Sequence, residues 1–379
     1  MTPSDDRPTK PLRYRVDRWI RAFVMRVIGW CVRENHAAIP DLSSAAIGRI
    51  LLVRANFRMG NAVLALPAVT AFRKHFPEAR IDFVGSPVSE LLFQNQPLNH
   101  HYVAPRRFPR VIWQYPALLR RLRANRYDLA VDVSCSQSGV GSFITGLSGA
   151  SIRAGLAGKW DQLFNLKFPK LRDDNKYRKL TELLTAMHLA ETELVGSLAF
   201  SPAEKIEGLR KFNSVIDKNN SKIVGVFVGG RKLRGKRWPL ENFIDLINGF
   251  ERSNVRVVVF LGPEENDLAD SINRSLASII PIVCEPSVRK FAAIISNLDL
   301  FVCCDSGPMH LACAVGVPVV AIFQQRDVAR WAPPPARVVY GAGIVDASEV
   351  LRVALEELSI GLTDAYPITS QPVNPAAAN

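Results

Sequence analysis

The chain has 379 residues, 48% of them hydrophobic, and a net charge of +13 from 48 Lys and Arg against 35 Asp and Glu. That length accommodates two ordinary domains with packed cores. The charge favours acidic partners such as nucleotide phosphates, a phosphorylated glycolipid or an anionic membrane, while the absence of any recognition motif argues against nucleic acid. The six cysteines form no CxxC pair, which argues against a zinc site or a disulfide framework and for a reduced, cytosolic protein.

Residues 1–46 read as an N-terminal extension, polar and Pro-containing over 1–12. Within 15–33, Val16, Trp19, Ile20, Phe23, Val24, Val27, Trp30 and Cys31 share one helical face, and Arg15, Arg18, Arg26 and Arg33 gather on the other. The run is too short and too charged to span a bilayer and has no cleavage site of signal-peptide type. A basic amphipathic helix with two Trp fits an interfacial membrane anchor; the same arc suits the protein's own core or a second subunit.

Residues 50–53 read as a buried strand, followed by a loop over 54–60 and a helix over 61–75. Pro67 should kink that helix or mark its true start. Strands follow near 80, 100, 127 and 151, with helices over 116–126 and 176–190. The polar stretch 196–222, with Ser201–Pro202 and a run of Lys and Asn near 218, reads as the interdomain connection. A second series begins at 222: strand, helix 240–250, strand 255–262, a helix near 267, strand 280–285, and helix 289–297. Residues 347–358 read as a last helix and those from about 366 onward as a disordered tail. Strands alternating with helices at this spacing give two doubly wound α/β domains.

The segment 300–323 carries the strongest local signal. Two apolar runs, LFVCC and VPVVAIF, flank a helical segment, giving a βαβ unit. Adjacent Cys303 and Cys304 should point to opposite faces of their strand. Asp305 and Ser306 close that strand, Gly307 lets the backbone turn, and Pro308 suits the first helical position, with Ser306 as the expected cap. The helix mouth offers N–H groups and the positive dipole end to a phosphate. Asp305 is placed to accept from sugar hydroxyls, and His310 lies in the first turn. The loop GGRKLRGKRWP concentrates Arg231, Lys232, Arg234, Lys236 and Arg237, and Gly229 and Gly230 allow close backbone approach. Such a loop suits a departing diphosphate. The string from Gly230 through Gly235 and Lys236 approaches a P-loop but has Arg237 where Ser or Thr must hold Mg²⁺.

Three stretches, in order, resemble glycosyltransferase family 9, the bacterial ADP-heptose:lipopolysaccharide heptosyltransferases. They are ILLVRANFRMGNAVLALPAVTAFRKHFPEARIDFV from Ile50, GGRKLRGKRWPLENFIDLI from Gly229 and DSGPMHLACAVGVPVVAIF from Asp305. The resemblance covers roughly residues 48–360. It implies the GT-B arrangement, two Rossmann-like domains facing a central cleft: an acceptor-binding domain over 47–200, a nucleotide-sugar-binding domain over 201–362, and a tail over 363–379. It implies an inverting transferase moving heptose or a similar sugar from an ADP-sugar to a lipopolysaccharide core acceptor at the inner face of the inner membrane. It implies donor binding by Lys236, beside Arg237, Gly229, Gly230, Asp305, Ser306, Gly307 and His310. Trp238 and Pro239 should fix the loop. No DxD-type metal motif lies in the cleft segments, and fixed cations replace Mg²⁺, so no metal or cofactor is expected.

The first motif departs from the family. After the Met-Gly pair, where active relatives typically carry Asp as the presumed base, this chain has Asn61, and an amide accepts no proton near neutral pH. Asp132 and Glu90 are alternative carboxylates, each also readable as structural or solvated. Arg54, Arg58 and Gly60, in the same loop, are candidates for an anionic acceptor. His100 and His101 are assigned no role. Two other readings stay open: a binding relative without transfer activity, and a transferase with a protein acceptor.

Overall fold

The computed structural model describes residues 47–106, 110–136, 138–189, 193–216, 221–230, 235–276, 278–341 and 343–360. The amphipathic segment 15–33, the tail, and Arg231, Lys232 and Arg234 lie outside them. Among the described residues no helix is long and apolar enough to cross a membrane.

The N-terminal half runs β1 (Arg49–Val53), α1 (Met59–Val63), α2 (Leu66–His75), β2 (Arg80–Gly85), α3 (Pro87–Leu92), β3 (His100–Val103), α4 (Val111–Ala124), β4 (Leu129–Asp132), α5 (Gly139–Leu147), β5 (Ile152–Leu156), β6 (Leu166–Phe168) and α6 (Lys176–Ala186). The C-terminal half runs α7 (Pro202–Val215), β7 (Ile223–Phe227), α8 (Leu240–Arg252), β8 (Arg256–Leu261), α9 (Ala269–Ser275), β9 (Ile282–Cys284), α10 (Val288–Ile295), β10 (Leu300–Cys304), α11 (Gly307–Ala314), β11 (Val319–Phe323), α12 (Val328–Trp331), β12 (Arg337–Tyr340) and α13 (Ala347–Ile360).

Each half holds a six-stranded parallel sheet, in the orders β3-β2-β1-β4-β5-β6 and β12-β11-β10-β7-β8-β9. Both count 3-2-1-4-5-6 from their own first strand, the doubly wound order of dinucleotide-binding folds. The central strands of the second sheet are buried along their whole length, and β1 and β4 of the first are buried but for Arg49, as a sheet covered on both faces requires. Cys303 and Cys304 therefore enter different cores.

Two local readings need correction. The helix read over 61–75 is two helices, because Pro67 occupies the first turn of α2 and marks its start. The stretch 196–222 is not mere connection. It contains α7, started by a capping box in which Ser201 Oγ accepts from Glu204 N and the Glu204 carboxylate accepts from Ser201 N. S-x-x-E before a helix is a start signal, here hidden by its polar surroundings.

The two halves share a core. One cluster of buried side chains runs from Ile50, Leu52 and Phe72 to Phe301, Met309 and Leu311 without a break. Arg289, 6% exposed, is a second bond between the halves. It donates to Leu92 O at 2.8 Å and Ala199 O at 2.9 Å, and pairs with Glu204 at 2.5 Å. That pairing holds the Glu204 carboxyl down at about 2. On the cleft side, Tyr177 OH and His310 Nδ1 share a hydrogen bond of 2.5 Å. Burial, with Lys236 and Arg54 nearby, drives the His310 imidazole down to about 4.

Arg289→Met should cost on the order of 3–5 kcal/mol in urea unfolding, because it leaves Glu204 and two carbonyls without their buried partner. A loss under about 0.5 kcal/mol, the range of ordinary surface changes, would show that the apolar core alone joins the halves. His310 imposes a pH dependence of definite sign. Its folded pKa is depressed from 6.5 to about 4, so between those values the unfolded chain binds a proton that the folded chain excludes. Stability is therefore intact above pH 6.5 and falls towards pH 4, by roughly 3 kcal/mol for this group. His101, also lowered to about 4 by burial, adds to the same slope. Unfolding curves across this range should be shallower for His310→Gln; parallel curves would place the burden elsewhere.

Candidate active site

In an open α/β sheet the ligand crevice lies beyond the carboxyl ends of the strands where their order reverses. Here those points lie between β1 and β4 in one sheet and between β7 and β10 in the other. The segments that leave them carry the motifs singled out in the sequence. Arg54–Asn61 follows β1, Asp132 ends β4, Gly229 and Gly230 follow β7, and Asp305–His310 follows β10. The two crevices face each other at contact distance. A Cβ at position 60 would stand 2.5 Å from His310 Cδ2, and one at 307 would stand 2.5 Å from Met59 Cε. Only glycine at both positions lets the start of α1 close on the start of α11.

On the C-terminal side, Lys236 lies between two carboxylates and is about one-tenth exposed. Its ammonium pairs with Asp305 and, at 2.8 Å, with Asp327 Oδ2. The loop is held from behind by Trp238, whose indole N–H donates to Val345 O at 2.8 Å within the outer core. Gly230 packs against the returning limb of its own loop, at Arg237 Cα and Lys236 O, and Gly229 against the Phe227 ring. Close approach at both glycines is thus to protein. Ser306 stands at the N-cap position of α11 without capping it: its side chain makes no cap bond, and its Oγ is buried with no partner. This corrects the expected capping role. Its backbone is extended, as at the capping residues Ser86 and Ser201, yet its hydroxyl makes no bond to the amides of the first turn.

On the N-terminal side, Arg54 is 3% exposed. Nη1 donates to Val133 O at 2.8 Å, while Nε is buried without a partner. Lys176, at the first turn of α6, is 8% exposed. Burial lowers it to about 8, assisted by Arg330, Lys179 and Arg54. Asn175 Nδ2 donates to Ala332 O at 2.9 Å, so this helix start is seated against the other domain. Asn61 is buried on α1, and Arg58 is exposed at the N-cap position of that helix.

Asp132 is enclosed. Its carboxylate accepts from Ser134 N at 3.0 Å and Ser142 Oγ at 3.5 Å, and a Cβ on Gly141 would come within 2.7 Å of it. Burial raises it to about 6, against the opposing pull of Ser134, Arg54 and Ser142. Glu90 is exposed on α3, and His101 meets Ser89 Oγ at 3.1 Å.

Sequence reasoning missed Asp327, Lys176, Tyr177 and Gln324. Asp327 and Gln324 follow the end of β11, and the strand-end rule applied one strand further would have found them. Lys176 and Tyr177 become site residues only through the docking of α6, which no local pattern announces. Gln324 Nε2 is buried without a partner, like Ser306 Oγ and Arg54 Nε. These three polar atoms all follow strand carboxyl ends, where a polyhydroxyl, anionic ligand would satisfy them.

The glycosyltransferase family 9 (heptosyltransferase) model matches residues 116–346. Lipooligosaccharide heptosyltransferase 2 of Campylobacter jejuni is 26% identical over 269 residues, covering 70% of this chain and 77% of its own. Lipopolysaccharide heptosyltransferase 3 of Escherichia coli K12 is 26% identical over 290 residues, covering 72% and 82%. Among solved structures, a family 9 glycosyl transferase from Veillonella parvula superposes with a TM-score of 0.73 at 18% identity, covering 83% of this chain and 98% of its own. The E. coli ADP-heptose LPS heptosyltransferase II gives 0.66 at 20% identity, covering 83% and 100%. The E. coli heptosyltransferase WaaC with ADP gives 0.63 at 18% identity, covering 82% and 99%. The fold is therefore GT-B, and the chain belongs to glycosyltransferase family 9.

Proposed function

We propose that this protein is an inverting, metal-independent transferase that moves a heptose or similar sugar from an ADP-sugar to a lipopolysaccharide core acceptor. The observation that carries this reading is the placement of Lys236 beside Asp305 at the mouth of α11, directly across from the Met59–Asn61 turn. The names of the relatives, which are heptosyltransferases of lipopolysaccharide or lipooligosaccharide, support the donor and acceptor classes.

In this reading the donor diphosphate lies along the start of α11. Lys236 leaves one of its carboxylates to meet the phosphate, and the N–H groups of Gly307 and its neighbours receive the remaining charge. Asp305 and the Ser306 hydroxyl then hold sugar hydroxyls. Arg54, Lys176 and Arg58 receive the anionic groups of the acceptor. The acceptor oxygen bonds to the anomeric carbon as the bond to the diphosphate breaks, and ADP leaves with the electron pair. Asn61 holds the acceptor hydroxyl but takes no proton. Asp132 is the proposed destination of that proton, since a carboxyl raised to about 6 has the affinity a base needs near neutrality. Its enclosure under α5 favours a second reading, in which it holds the turn after β4 and balances Arg54. The protein would act at the inner face of the inner membrane, where such an acceptor is made.

With ADP-heptose and truncated core acceptors, the native chain should release ADP with sugar transfer. Lys236→Ala should lower kcat/KM by about 10²–10³-fold, with the fold retained by circular dichroism. Donor binding without transfer to any acceptor would make the chain a binding relative instead. Asp132→Asn separates the two roles of that residue. A fall in kcat of roughly 10²–10⁴-fold at unchanged Tm identifies a base, whereas a lower Tm with kcat retained identifies a structural acid. Asn61→Asp should raise kcat; if it leaves kcat unchanged, the proton is already handled elsewhere.

A further inference from the structure

We infer that the start of α4 is a docking surface for an anionic lipid bilayer. The inference rests on reading the acceptor as a membrane-anchored glycolipid, and it names where that membrane sits. No Asp or Glu occurs from residue 91 to 127 in the sequence, and the described part of the stretch holds Arg106, Arg110, Arg120, Arg121, Arg123 and Arg126. Within this field Ile112 is 62% exposed and Trp113 56% exposed, two large apolar side chains side by side at a helix start.

The geometry keeps them outward. Tyr115 turns to the opposite side, where its hydroxyl donates to Pro105 O at 3.0 Å and its ring meets Phe143 edge-on. Leu118, Leu119 and Leu122 continue that buried face. At about 100° per residue, Trp113 and Arg120 stand on the side facing away from the domain, roughly 10 Å apart along the axis. An aromatic ring at the interface, with arginines reaching back to the headgroups, is how a helix lies on an anionic membrane.

The position connects this surface to the site. β3 is the edge strand of its sheet, and α4 follows its carboxyl end, so the helix starts on the cleft side. The Arg106 guanidinium lies over the Phe57 ring, 5.2 Å from its centre, and Phe57 belongs to the loop that carries Arg54 and Arg58. A bilayer against Trp113 therefore lies beside the acceptor half of the cleft. A glycolipid would present its sugars there without leaving the membrane.

The test compares the full chain with I112S/W113S and R110Q/R120Q by co-sedimentation with phosphatidylglycerol vesicles and with neutral phosphatidylcholine vesicles. The native chain should bind the anionic vesicles. R110Q/R120Q should bind roughly 25-fold more weakly at low salt, about fivefold per arginine, and I112S/W113S about tenfold more weakly or less still, both with Tm unchanged. Transfer to an acyl-free acceptor should stay at the native rate, while transfer to the same acceptor embedded in vesicles should fall with binding. Native-like vesicle binding by both variants, with W19S/W30S added to each and to the reference chain so that residues 15–33 contribute no anchor, overturns the inference. So does a change in sedimentation state with vesicle binding intact, which would make the face a contact between copies. Vesicle binding that depends on α4, in a chain that transfers to neither acceptor, supports this surface and removes the glycosyltransferase reading.

Discussion

The ion pair between Lys236 and Asp305 is the contact on which the arrangement of the cleft turns. It joins the loop after β7 to the loop after β10, the two segments that flank the switch point of the second sheet. Asp327 adds a bond from the loop after β11, so three strand ends converge on one ammonium group. Little of this lysine is exposed, and a buried cation without such partners would be costly. The carboxylates hold it in place, and a diphosphate can take over one of their roles by exchange of like for like.

The rest of the cleft depends on how closely the two domains approach. Gly60 and Gly307 allow two helix starts to meet with no side chain between them, and the shared core behind them fixes the distance. Tyr177 and His310 then occupy the seam. His310 stays neutral across the physiological range, so it adds no charge beside Lys236 and Arg54. Two further cations, Arg54 and Lys176, are buried on the N-terminal wall. The N-terminal wall is thus cationic, whereas on the opposite wall the charge of Lys236 is offset by Asp305 and Asp327.

Much of this was legible in the residues. In parallel sheets covered on both faces, strands read as apolar runs, and their ends state where the loops must go. That is why Lys236, Asp305 and Arg54 could each be placed at a strand end from the order of residues, while their meeting in one crevice was implied by the family resemblance. Other elements left weak signals. α5, which begins GVGSF, has no element assigned to it from sequence; its Gly141 is there to pack over Asp132 and its Gly139 against Trp160. β6 is three residues long, too short for any period. α7 was lost to composition, its capping box passing for linker. The fate of single side chains was the least legible. His310 and Ser306 sit in the first turn of one helix. Whether each turns to a ligand, a neighbouring tyrosine or no partner at all is decided by the domain opposite.

At Ser306 that choice has a cost. A hydroxyl shut away from water with nothing to bond is a small, permanent loss to the folded chain, of the order of 1–3 kcal/mol. Natural selection for stability alone would remove it with one methyl group, as alanine. Its presence at the mouth of α11 leaves the folded chain with a buried hydroxyl that finds no partner among the described residues. Robustness and recognition pull in opposite directions at this one oxygen atom. If the cleft's ligand is what this hydroxyl serves, a more heat-resistant relative with alanine there gains stability and loses that contact.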